Sequence, residues 1–369
     1  MKIECIEVYQ LDLPYSGGTY HLSGGRTYDS FDATFARIIT NTGLEGWGES
    51  TPFGATYIAA HALGARAGIT EIAPHLLGRD PREVDRINDA MDEALIGHNH
   101  AKTPLDVACW DIFGQSVDLP VCTLLGGSTG QVMPVISSIH AGDPEDMRQR
   151  VADHRARGYR GHSIKIGAAD PALDAERIAA CLADRQPGEF FQADANGGML
   201  VEQVLRLLNL LPTGVDIVLE APCASWRETV SLRRHCSLPI MMDELAQQDE
   251  DIAQIIAQDV ADGIGLKISK AGGLTRGRRH RDLCRAAGLT MSVQDTVGST
   301  IAFAALAHLG QTVPPKNLRC ILDCRDMVSV ETAKFEAPIK DGGVVAPSLP
   351  GLGIEVDRAI LGSPVQTFS

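Results

Sequence analysis

Between Lys165 and Lys267 the chain closes five short apolar runs with an ionisable residue, at intervals of 23 to 29 residues. The runs are Ser163-Ile164-Lys165, Phe191-Gln192-Ala193-Asp194, Ile217-Val218-Leu219-Glu220, Pro239-Ile240-Met241-Met242-Asp243 and Gly265-Leu266-Lys267. So regular a return of β-like runs to a charged end points to repeated strand–helix units, and a (β/α)8 barrel uses roughly 25 to 35 residues per unit. The series extends both ways. Val132 to Ile139 precedes it, and runs ending at Asp295 and Asp323 follow at intervals of 28 residues each. Eight strands result.

In such a barrel the C-terminal ends of all strands open onto one face, so the five ionisable groups converge on one site. Three acids in a row, Asp194, Glu220 and Asp243, call for a cation. Carboxylate-only ligation favours a hard ion such as Mg2+, and the lack of His or Cys at these positions argues against Zn2+. Lys165 and Lys267, on either side, are then placed to act on a substrate held by the metal. The competing reading is a rim of solvated ion pairs, which is common for any one strand-end charge but a poor account of five at a regular period.

A barrel of about 250 residues leaves roughly a hundred of the 369 for a second unit. Residues 2 to 13 alternate apolar and polar, and Thr34 to Thr40 and Gly46 to Glu49 read as two further strands around the turn Asn41-Thr42-Gly43, an antiparallel meander. The glycine-rich stretch from Pro14 to Gly25 reads as a lid over a site, with Thr51 to Tyr57 as a second covering loop; no lysine-serine pair follows to make it a phosphate cradle. Tyr20 and Tyr57, one in each loop, are either packing residues or substrate contacts. From Ala59 to about Gly126 the apolar spacing turns helical. His98 and His100 lack an acidic partner in register and read as loop or cap residues rather than metal ligands. Residues 331 to 369 are turn-rich and return to the N-terminal unit. The expected division is therefore α/β, with a capping unit at 1–126 completed by 331–369, and the barrel at 127–330.

A net charge of −14, from 33 basic and 47 acidic residues, argues against general binding of nucleic acid or an anionic membrane. Nine cysteines, an odd number without a Cys-x-x-Cys pair, fit a reducing compartment better than a disulfide framework, and Cys320 and Cys324 read as buried thiols. No signal-like N-terminus and no apolar run of spanning length occur, so the expected location is the cytoplasm.

Taken together, Gly46-Trp47-Gly48-Glu49, Asp106-Val107-Ala108-Cys109-Trp110-Asp111, the acid series, Asp243-Glu244, Lys267-Ile268-Ser269-Lys270-Ala271-Gly272-Gly273 and Pro350-Gly351-Leu352-Gly353 resemble the enolase superfamily in its muconate-lactonizing and racemase branch. The resemblance covers nearly the whole chain. It implies an α+β capping domain over a modified barrel that binds one Mg2+ through Asp194, Glu220 and Asp243, with Lys165 and Lys267 as acid and base on opposite faces of the substrate α-carbon. It also implies a homo-oligomer acting on a small-molecule carboxylate. Asn196 and Glu244, beside the ligands, are candidates to support them. Two departures matter. Ser163 stands where many members have the first lysine of Lys-x-Lys, and Asp295 stands where mandelate racemase-type members have histidine, which disfavours a His-Asp dyad.

An α-proton next to a carboxylate is weakly acidic because its loss leaves an enediolate, whose charge a magnesium ion offsets while a lysine takes the proton. Reprotonation at the α-carbon gives racemisation; loss of a β-hydroxyl gives dehydration. The segments around Pro14, Ser50 to Phe53 and Ala221-Pro222-Cys223 resemble the proline-derivative members, the cis-3-hydroxy-L-proline dehydratases and hydroxyproline betaine epimerases. In that reading Asp323, ending the eighth strand, holds the substrate ammonium, with Asp326 competing and Asp295 nearby. A betaine needs an aromatic cage. Tyr57 supplies one wall but no tryptophan lies near residues 319 to 327, which favours the dehydratase. The alternatives are 2-epimerisation of proline betaines, N-acylamino acids or dipeptides, and a non-catalytic metal-binding barrel. Acid-sugar dehydration is disfavoured by the missing histidine.

Overall fold

A computed structural model describes residues 1–369. The N-terminal sheet is built from β1 (Ile3–Pro14), β4 (Ser30–Thr40) and β5 (Glu45–Ser50), paired antiparallel. β1 and β5 match the expected runs to within one residue at each end, and β4 begins four residues before the expected Thr34. The expected lid is not a plain loop. It carries a small hairpin of β2 (Tyr20–His21) and β3 (Thr27–Tyr28), strands too short to show a period in sequence.

Helices α1 (Ala62–Leu76), α2 (Val84–Ala94) and α3 (Asn99–Ser116) follow. The glycines of the Gly46-Trp47-Gly48 motif have a steric cause: a Cβ at Gly48 would lie 2.1 Å from the Pro104 carbonyl oxygen, and one at Gly46 would lie 2.3 Å from that of Ala108. Only bare backbone lets α3 lie this close to β5. Asp111 on α3 then joins two distant segments, accepting from Trp47 N at 3.1 Å and Leu352 N at 2.8 Å.

The barrel consists of β6 (Met133–Ile139), β7 (Gly161–Lys165), β8 (Phe190–Asp194), β9 (Val218–Glu220), β10 (Ile240–Met242), β11 (Gly263–Lys267), β12 (Thr290–Gln294) and β13 (Leu318–Leu322). All pair in parallel with their neighbours, and β13 closes on β6 through Ile321↔Val135 and Leu322↔Ile136. Their runs are apolar because both faces are covered, by side chains in the lumen and by helices outside. The eight strands are those expected from the repeat.

The C-terminal segment divides its contacts. β14 (Ala333–Phe335) pairs with β16 (Ile354–Val356), β15 (Gly343–Val344) extends the barrel sheet at β6, and β17 (Gln366–Phe368) forms the edge of the N-terminal sheet beside β1. β17 thus lies against the N-terminal sheet and β15 against the barrel.

Glu49, at the end of β5, ties the sheet to the barrel. Its buried carboxylate accepts from Ser299 N at 2.8 Å, Ser299 Oγ at 2.5 Å and Ala302 N at 3.0 Å, at the start of the helix Thr300–Gly310. No helix is long and apolar enough to cross a membrane. All nine cysteines are free, and Cys320 and Cys324 are buried.

Candidate active site

Lys165, Asp194 and Glu220 are register partners on β7, β8 and β9, so they form one row across three adjacent strands. Asp243 follows the last residue of β10, and Lys267 ends β11. β7 and β11 stand four places apart in the ring of eight. Both lysines, Asp194 and Glu220 line one cavity, together with Gln192, Gln294 and Asp295 on its polar side and Tyr20, Leu22, Phe53 and Tyr57 on its lid side.

The charges are tightly paired. Lys165 bonds Asp194, Lys267 donates to Asp243 Oδ2 at 2.5 Å, and a third ammonium, Lys270, bonds Asp243 Oδ1 and donates to its carbonyl at 2.5 Å. Burial opposes the charge on both cavity lysines, but Asp194 holds Lys165, and Asp243 holds Lys267, above the ordinary lysine range. Burial would also raise Asp243, yet Lys267 and Lys270 keep it below the usual carboxylate range. Glu220 lacks a cation. Its oxygens receive only the Gln192 and Gln294 amides, and burial, with Asp194 and Asp243 alongside, pushes it well above an ordinary glutamic acid.

No three acidic or imidazole groups surround a common point here, because the aspartates are drawn onto lysines. The donor set nevertheless fits a hard divalent cation. Three buried carboxyl groups end consecutive strands, Glu220 has no ammonium partner and would be ionised only with a cation beside it, and the buried Glu244 Oε2 has no partner.

Asn196 links the supporting groups. In the left-handed region (φ 44°), it donates through Nδ2 to Asp194 Oδ2 at 3.1 Å, Glu244 Oε1 at 3.0 Å and the Tyr57 hydroxyl at 3.4 Å. Tyr57 in turn receives from Lys267 Nζ at 2.6 Å and donates to Asp243 Oδ2 at 3.2 Å. The lid is docked: Ser23 Oγ donates to the Asp194 carbonyl and to Asn196 Oδ1, each at 3.2 Å, and Tyr20 Oη and Ser138 Oγ share a hydrogen bond of 2.6 Å.

Asp323 does not stand where the sequence reading put it. Its carboxylate is taken by Arg325 Nε at 2.8 Å, Arg325 Nη2 at 2.9 Å and the Tyr159 hydroxyl at 3.1 Å, and it lines an outer cleft rather than the cavity between the lysines. Leu322 lines the cavity, while Asp323 caps the short turn that follows, accepting from Arg325 N at 3.2 Å. Asp326 is likewise consumed, by His154 at 2.8 Å and by Arg157. Asp295 does line the cavity, one residue beyond the strand end, since Gln294 is the register partner of Lys267. It accepts from Ser269 Oγ and from Thr296 N at 2.7 Å, and burial pushes it up to about 6.

Sequence reasoning missed Lys270, Gln192 and Gln294. Lys270 lies one helical turn after Lys267, in a motif noted only as a family mark. Gln192, two before Asp194, shares its strand face, a signal that alternation alone could have supplied.

This barrel with a docked cap and a lysine–carboxylate cavity defines a class, and comparison with known proteins identifies it. Residues 24–126 match the mandelate racemase/muconate lactonizing enzyme N-terminal domain, and residues 146–360 match the enolase C-terminal domain-like model. The chain belongs to the mandelate racemase/muconate lactonizing enzyme family of the enolase superfamily. It is 38% identical, over 100% of both chains, to a cis-3-hydroxy-L-proline dehydratase of Roseibium aggregatum. It is 26% identical to an N-succinyl-L-Arg/Lys racemase of Bacillus cereus, over 98% of this chain and 97% of the other. Among solved structures, a mandelate racemase/muconate lactonizing enzyme-type chain of Roseovarius nubinhibens ISM, complexed with magnesium, is 58% identical with a TM-score of 0.98 and full coverage of both chains. One from Aspergillus oryzae is 61% identical with a TM-score of 0.94, covering 100% of this chain and 99% of the other.

Proposed function

We propose that this protein is a Mg2+-dependent lyase that dehydrates cis-3-hydroxy-L-proline. The observation that carries the reading is the placement of Lys165 and Lys267 on opposite walls of one cavity. In the cis isomer the 3-hydroxyl lies on the carboxylate side of the ring, so the α-hydrogen and the hydroxyl occupy opposite faces. One amine takes the α-proton; the ammonium across the cavity gives a proton to the departing hydroxyl. The Cα–H and C3–O bonds break, a C2=C3 double bond forms, water leaves, and the enamine tautomerises to an imine. The full-length relative with this activity supports the choice.

Asp194, Glu220 and Asp243 are the residues that would hold Mg2+, one ion per chain. Bound there, the ion offsets the negative charge developing on the substrate carboxylate and replaces the ammoniums as counter-ion to the acids. A lysine released from its carboxylate loses the largest influence holding its charge, and burial then lowers its pKa toward the range of a working base. Asp295, a cavity acid that pairs with no ammonium and is not one of the three residues assigned to Mg2+, is assigned the substrate ammonium in place of Asp323. Asn196 and Glu244 orient Asp194 and Tyr57. Tyr20 and Tyr57, with Phe53, shape the lid wall and exclude water.

That aromatic wall also supports a second reading, 2-epimerisation of a proline betaine, since three rings line the cavity without any tryptophan. Both reactions are followed by proton NMR in D2O with Mg2+. Loss of water from cis-3-hydroxy-L-proline is expected. Deuterium exchange at the α-carbon with the hydroxyl retained rejects dehydration of that substrate.

A further inference from the structure

A second cavity, of about 420 Å3, lies at the N-terminus of α3 and shares no lining residue with the cavity between the lysines. No aspartate or glutamate lines it, in a chain of net charge −14. α3 is 18 residues long, and His98 at its N-cap position makes no side-chain capping bond, leaving first-turn N–H groups without a side-chain acceptor. His100, also in the wall, is 6% exposed; its Nδ1 bonds Ser50 Oγ at 2.9 Å, and its Nε2 has no partner. With the Ser50 hydroxyl assigned as donor to Nδ1, Nε2 carries the proton and is an unpaired buried donor. Lys270, 4% exposed, also lines this wall, but its ammonium is taken by Asp243 and adds no free cation.

An uncapped helix N-terminus and an orphaned, buried imidazole N–H, with no acid in the lining, select an anion. The rest of the lining narrows the class. Ile58, Ala59, Ala60 and Ala65 form an apolar side, and no arginine is available to match a phosphate dianion. We propose that this cavity binds a small monocarboxylate with a short apolar tail, at a site distinct from the catalytic one.

Two charge insertions test this without touching the catalytic cavity. A side chain at Gly64 would meet only His61 Cβ, at 3.8 Å, and His61 caps α1 by accepting from Gly64 N. Gly64→Asp and His61→Asp therefore put a carboxylate in the cavity at helix-start positions where aspartate is favoured. Butyrate and inorganic phosphate are titrated calorimetrically into the Mg2+-loaded full chain and both variants. Because butyrate also reaches the metal site, the difference between proteins is the readout. Wild type is expected to bind one butyrate more per chain than either variant, with phosphate at least tenfold weaker there and turnover equal in all three. Equal butyrate stoichiometry in wild type and variants overturns the site; phosphate binding as tight as butyrate overturns its class.

Discussion

Lys165 and Lys267 end strands four places apart in a closed ring of eight, so their amines reach one cavity from opposite sides. Elimination across two ring faces makes their roles unequal. Lys165→Met and Lys267→Met are each expected to lower turnover by about 10² to 10⁴-fold. One variant, lacking the base, loses α-hydrogen exchange in D2O as well; the other keeps exchange but releases no water. Loss of exchange in both variants contradicts the division of labour.

Removing Mg2+ with a chelator is expected to abolish turnover and lower the melting temperature, since an ion bound only by the folded chain at 100 times its dissociation constant adds about 2.7 kcal/mol. Asp194→Asn and Asp243→Asn weaken that thermal shift and raise the Mg2+ concentration needed for half-maximal activity. A Mg2+ response unchanged in both variants counts against these residues as ligands.

Asp295 provides a pH signature in stability. Its folded pKa, about 6, lies above the ordinary 3.8, so the folded state holds a proton that the unfolded chain releases first. Its contribution is fully present below pH 3.8 and lost as pH rises through 6, by up to about 3 kcal/mol. Asp295→Asn can keep both hydrogen bonds, which fall on one oxygen, without titrating. The stability of Asp295→Asn relative to wild type, from urea unfolding, should therefore grow between pH 4 and 7 while catalytic efficiency falls. A gap that does not change with pH rejects the perturbed carboxyl.

Glu49→Ala removes an acceptor from three donors at the start of Thr300–Gly310. Leaving buried N–H groups unpaired predicts a loss of about 2 to 4 kcal/mol in chemical denaturation. A cost under 1 kcal/mol would mean that water replaces the carboxylate.

The barrel was legible because its strands are buried on both faces and seven of the eight close on a charged residue, at the strand end or one past it, so both period and strand count survive in the sequence. The convergence of Lys165, Asp194, Glu220 and Lys267 on one cavity followed from that count. Asp323 misled because Arg325 and Tyr159 hold its carboxylate outside the cavity, and a strand-end position in the sequence does not show which partners will claim the side chain. Lys270 was passed over because it leaves a single turn of helix, outside the strand-end rule. The lid hairpin has strands of two residues, too few to carry alternation.

The pairing of Gln366–Phe368 with Ile6–Val8 joins segments separated by almost the entire sequence. Closing so long a loop carries an entropic cost that only a preformed partner surface offsets, so such contacts assemble late and slowly. β1 is therefore among the last strands to acquire all its neighbours, and in the interval it presents an open edge to any other extended chain.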